Sequence, residues 1–143
     1  MSASSGRDLV AAAFAELASG NGQAFLAVLA DDIVWRNIGS TSWSGAVRGK
    51  QTLIDERFAI AGRLLDGPNV IVPSRVIADG DLAVVEAKGS SRLKRGGTYE
   101  NDYCFVVRVA DDKIIEVTEY LDTELLTSAL GERTAVKTAD AQY

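Results

Sequence analysis

The stretch Tyr99–Asp122, YENDYCFVVRVADDKIIEVTEYLD, reads as two long strands joined by a tight turn. Tyr99, Asn101, Tyr103, Phe105, Val107 and Val109 recur with period two and so share one side of a ribbon. Asp111-Asp112 marks the reversal, and on the return strand Ile115, Val117, Glu119 and Leu121 share a side. If both sides face the same way, a single carboxylate, Glu119, enters surroundings of aromatics, an amide and aliphatics. A carboxyl group placed there departs from ordinary surface behaviour.

The pattern extends upstream. Residues 69–78 are β-branched and apolar, Asp79-Gly80 is a two-residue hairpin signal, residues 81–93 alternate, and Lys94-Arg95-Gly96-Gly97 turns the chain into the Tyr99 strand. This predicts a four-stranded antiparallel meander. Ahead of it the period is helical: a helix over 7–18 capped by Ser4 or Ser5, a second over 23–30 ended by Asp31-Asp32, and a third over 50–65 stopped by Asp66-Gly67-Pro68. Between them IVWRNI (33–38) reads as a first strand, and Gly39–Gly49 as a loop with Trp43 exposed near its middle. The expectation is an α+β domain over 1–130, with three N-terminal helices on one face of a curved, mainly antiparallel sheet that curls into a cone. Residues 131–143 have no period and are expected to form a disordered tail.

A chain of 143 residues makes one domain with a genuine core. Its net charge of −5, with fifteen basic residues scattered among twenty acidic ones, argues against nucleic acid as a partner. No apolar run approaches the roughly 20 residues of a membrane span, and MSASSGRD lacks a secretory layout, so the expected address is the cytoplasm, away from membranes. The lone Cys104 fits a reducing compartment. Histidine is absent, which excludes Ser-His-Asp and Cys-His nucleophilic sites and the commonest zinc ligand. Asp31-Asp32 and Asp111-Asp112 flank turns, where aspartate is a good cap or turn residue, and no metal or other cofactor is assigned.

Glu119 is therefore the candidate proton carrier, against the alternative of a strand glutamate paired with Lys88 or Arg36. Asn101 and Tyr103 are candidates to hydrogen-bond a substrate carbonyl, against simple cross-strand packing. Trp35 and Trp43 are candidate walls for a flat ligand, against a place in the core, and Asn37, Arg36 and Phe105 complete the expected binding set. Glu86, Lys88, Ser90 and Arg92 share a polar face that reads as solvated sheet or rim. On the convex back Cys104, Val106, Thr118 and Tyr120 make a surface apolar enough to suggest a homodimer.

The order of elements, with the strings LASGNGQAFLAVLADDIVW, GSTSWSGAVRGKQTL and YENDYCFVVRVADDKIIEVTEYLDT, resembles the nuclear-transport-factor-2-like superfamily in its SnoaL-like polyketide-cyclase and ketosteroid-isomerase-like branch. The resemblance spans most of residues 7–126 and implies a cone, commonly dimeric, that binds small apolar molecules. It places the ketosteroid isomerase tyrosine, base and second acid at Ala13, Arg36 and Phe105, none able to do that chemistry. It sets the water-positioning pair of limonene epoxide hydrolase near Trp35 and Asn37, that enzyme's acid or base near Glu119, and its Arg-x-Asp pair on Glu86 and Lys88 in reversed order of charge. What it implies is cofactor-independent acid–base chemistry of isomerase, cyclase or epoxide-hydrolase type, or else a non-catalytic ligand-binding or dimerisation module.

Overall fold

The computed structural model describes residues 3–133. In chain order the elements are α1 (Ala3–Ala18), α2 (Gly22–Ala27), β1 (Leu29–Asn37), β2 (Gly45–Arg48), α3 (Lys50–Leu53), a π-helical turn (Ile54–Phe58), α4 (Ala59–Leu64), β3 (Val70–Asp79), β4 (Leu82–Arg92), β5 (Thr98–Ala110), β6 (Lys113–Leu121) and α5 (Thr123–Leu130). All strands join one sheet in the order β2-β1-β6-β5-β4-β3. The fold is α+β, with helices packed on a curved, unclosed sheet.

The β5–β6 hairpin follows from its alternation. Tyr99, Asn101, Tyr103, Phe105, Val107 and Val109 are all buried on the inner face. Asp111 and Asp112 both take positive φ, 50° and 61°, the backbone that a two-residue hairpin loop demands and that aspartate tolerates better than most residues. One detail differs from the expected pattern. The register slips between Arg108 and Val109, so Ile114 rather than Ile115 enters the core at 0 % exposure. Beyond this bulge the period resumes, with Val117 opposite Val107 and Glu119 opposite Phe105.

The sheet has six strands because β1 inserts beside β6 in parallel, with Asn37 in register with Glu119, and β2 adds an antiparallel edge that buries Val47. Asp31-Asp32 lies exposed in an irregular part of β1 and does not end a helix. The expected third helix is broken into α3, the π-helical turn and α4. α5 is a further difference: Asp122 caps it by accepting from the backbone N–H of Glu124 and Leu125.

The core lies between the sheet and α1. Val10 and Phe14 are fully buried, and the Phe14 ring meets Phe25 at 5.3 Å and Phe105 at 5.0 Å. On the outer face Arg75 pairs with Glu86, Lys88 with Asp102, and Arg108 with Asp81 and Glu116. Glu86 and Lys88 are thus spent on strand neighbours outside the cone. Of the expected tail, Gly131 and Arg133 dock on the loop before β2 through bonds from Trp43 Nε1 to the Gly131 carbonyl and from Arg133 N–H to Ser42 Oγ. Residues 134–143 lie outside the described residues. No helix among the described residues is long and apolar enough to cross a membrane.

Candidate functional site

A cavity of about 460 Å³ opens between the inner face of the sheet and the helices. That volume falls in the range of small-molecule sites. Three inward strand positions form its polar centre. β1 points Trp35 and Asn37 inward by period two, and the parallel β1–β6 register sets them beside Glu119. Trp35 Nε1 donates to Glu119 Oε1 at 2.9 Å and Asn37 Nδ2 donates to the same oxygen at 3.1 Å. Glu119 Oε2 accepts nothing from the described residues. Aromatic rings surround this centre: Trp35 meets Phe58 edge-on at 5.3 Å, and Phe105 stacks on Tyr103 at 5.4 Å.

Burial pushes the Glu119 carboxyl above the ordinary range, and it outweighs the opposing pull of the Trp35 and Asn37 hydrogen bonds and of the Arg57 charge. Both donors converge on Oε1, so the proton of the neutral form belongs on Oε2. The same shift governs stability. The folded state holds this proton more tightly than the unfolded chain, whose carboxyl titrates near 4.5. Stability contributed by the protonated form is therefore present at acid pH and lost as pH rises from that value through the raised one. Melting curves of wild type and Glu119→Gln should converge at acid pH and separate in favour of the glutamine variant as pH rises. Parallel curves would contradict the raised titration.

A second polar group surrounds Tyr99. Its hydroxyl oxygen accepts from Asn101 Nδ2 at 2.8 Å and from the Tyr103 hydroxyl at 3.1 Å. Two donors on one oxygen leave the Tyr99 proton free to point elsewhere, and no acceptor among the described residues takes it. Asn101 is consumed by this scaffold. Its other N–H bonds the Asp122 carbonyl at 3.0 Å, and its Oδ1 accepts from the backbone N–H of Asp102 and Asp122. The amide expected to bind a carbonyl is thus held within the scaffold and does not line the cavity, whereas Tyr99, which the sequence pattern does not single out, does. Tyr103 contributes its ring to the cavity wall, and burial raises its phenol far above its usual value, which keeps it neutral. Gly89 makes room for that ring, since a Cβ there would stand 2.7 Å from Tyr103 Cε2.

Two other expectations are corrected. Arg36 is exposed, because it alternates with the inward Trp35 and Asn37, and so it neither lines the cavity nor reaches Glu119. Trp43, expected to be exposed, is 4 % accessible and lines the cavity, held by its bond to Gly131. The cation that faces Glu119 is Arg57, from the π-helical turn. Among the described residues no group of three or more Cys, Asp or Glu side chains could hold a metal ion.

A curved, unclosed sheet with helices packed on one face is the architecture of nuclear-transport-factor-2-like proteins. The chain belongs to the SnoaL-like family, whose domain model matches residues 10–117. An NTF2-like protein of Burkholderia xenovorans LB400 is 28% identical over 91% of this chain and 98% of its own, with a TM-score of 0.69. TerC, co-crystallized with polyporic acid, is 21% identical over 87% of this chain and 97% of its own, with a TM-score of 0.73. A protein of Catenulispora acidiphila with a ketosteroid isomerase-like fold, in complex with trimethylamine, is 15% identical over 87% and 92%, with a TM-score of 0.68. No functionally curated protein matches the chain.

Proposed function

We propose that the protein binds a small, mainly apolar molecule in the cavity and moves a proton on it through Glu119, without a cofactor, in the manner of an isomerase or cyclase. The observation that carries this reading is the Glu119 carboxyl: it lines an aromatic cavity, is clamped through one oxygen, and keeps the other free of protein partners. A carboxyl with a raised pKa sits where proton transfer near neutral pH is efficient. The Tyr99 hydroxyl supplies a neutral donor for an oxygen on which charge develops. Asn37 keeps its acceptor oxygen for a bound water or hydroxyl.

The test uses a probe that needs only a base in a dry pocket, the ring opening of 5-nitrobenzisoxazole. Acceleration that saturates with probe, beyond what free acetate gives, supports the reading. Binding of the probe without acceleration favours a module that binds without chemistry.

We also propose that a second copy of the chain covers the outer sheet face. Ile77, Val84, Val106 and Thr118 form one cross-strand row there, with Ile77 53 % and nearby Tyr120 42 % exposed. Sedimentation should give twice the 15.2 kDa chain mass. A monomer at that mass would contradict it.

A further inference from the structure

Arg57 is 8 % exposed and lines the cavity, yet its Nε and Nη1 have no hydrogen-bond partner among the described residues. Its Nη2 makes a single long contact, 3.5 Å, to the Ser44 carbonyl, and its nearest carboxylate, Glu56, stands off at 4.0 Å and is itself half-exposed. A guanidinium carries five donors, and burying it with most of them unspent is unfavourable unless something else satisfies them. Its surroundings add to the imbalance. Arg133 bonds Ser42 and the Glu56 carbonyl close by, and its charge acts against that of Arg57. Glu119 is the facing acid, and when ionised its charge favours the Arg57 cation without a hydrogen bond to it.

Local structure holds Arg57 in place. The residue stands four positions after Leu53 and four before Ala61, among the apolar residues of this helical segment. Here the helix opens into a π-helical turn, a distortion that recurs at functional sites. Trp35, Phe58 and Phe105 offer flat apolar walls in the same cavity.

We propose that Arg57 makes the cavity a site for an organic anion, a flat apolar molecule whose carboxylate, enolate or phenolate oxygen rests on the guanidinium side. The inference rests on the reading of the cavity as a small-molecule site, and names the class of molecule. A delocalised single negative charge suits the planar guanidinium, and an apolar body suits the rings. The two unpartnered nitrogens are sealed from solvent, so the oxygen meets the charge at Nη2 or after a rotation of the side chain. Where the reaction itself develops an enolate, the same charge stabilises it.

The experiment compares calorimetric binding of 2-naphthoate and 2-naphthalenemethanol, equal in shape and different in charge, at neutral pH. The wild type should prefer the naphthoate by at least about tenfold, the ratio that one charge-assisted hydrogen bond supplies. Arg57→Met should erase the preference, keep binding of the alcohol, and melt no lower than wild type, because it removes an unpaired buried cation. Arg57→Lys should keep part of the preference. Equal affinities in the wild type overturn the inference even if Arg57→Met fails to fold. So does a preference that survives Arg57→Met. Alcohol binding without preference leaves the small-molecule reading standing and removes only the anion, whereas failure of both probes to bind removes both.

Discussion

Replacing Glu119 by glutamine is expected to remove at least about a hundredfold of the ring-opening rate that the wild type shows on 5-nitrobenzisoxazole, the lower end of what a positioned general base supplies. In that reaction the base takes the ring C–H proton, the freed pair becomes part of a nitrile, and the N–O bond breaks to leave a phenolate. Glu119 is the acceptor with a free oxygen in the cavity. Glutamine keeps the shape and still accepts from Trp35 Nε1 and Asn37 Nδ2 through its amide oxygen, so the wall of the site stays in place. What it lacks is a basic lone pair at the second position. The wild-type rate should climb with pH and level off above the ordinary carboxyl range, because burial raises the Glu119 titration. An unchanged rate in the folded variant would assign any base catalysis elsewhere.

Phe14→Ala is expected to lower the free energy of unfolding by about 3–5 kcal/mol, the usual cost of emptying a buried phenylalanine site. Phe14 has no exposed surface, and its ring meets Phe25 and Phe105 from behind the cavity wall. Marginal stability makes such a loss a large fraction of the total, about 5–15 kcal/mol for natural domains. Phe14 itself does not line the cavity, so the effect reads packing and not binding. Urea unfolding checks it through a lower midpoint at unchanged slope. A loss below about 1 kcal/mol would mean that the space behind Phe105 refills, against a tightly packed Phe14 site.

Much of this was legible in alternation alone. The odd residues from Tyr99 to Val109 are buried as their period demands, and the same reading put Glu119 on their side of the sheet, where the structure pairs it with Phe105. Alternation in β1 also carried the answer on Arg36: with Trp35 inward, Asn37 must follow and Arg36 must face out. Other features depend on contacts that no local pattern encodes. Asn37 reaches Glu119 across 82 residues, through a parallel pairing of β1 with β6 that the helices and meander between them make possible. The bulge at Arg108 exchanges Ile115 for Ile114 because adjacent isoleucines satisfy either register. β2 hides in a glycine-rich segment, and Trp43 looks exposed until Gly131 returns to accept its indole N–H. Arg57 had a local signal, a charge in the centre of an apolar helical stripe.

Glu119 holds its proton beyond the ordinary carboxyl range because the cavity strips much of the water from its carboxyl. Carbon NMR of protein labelled at the glutamate side-chain carboxyls, followed through a pH titration, measures this directly. One resonance should titrate clearly above the others and be missing from the Glu119→Gln variant. A set of carboxyls that all titrate in the ordinary range, or an outlier that persists in that variant, would contradict it.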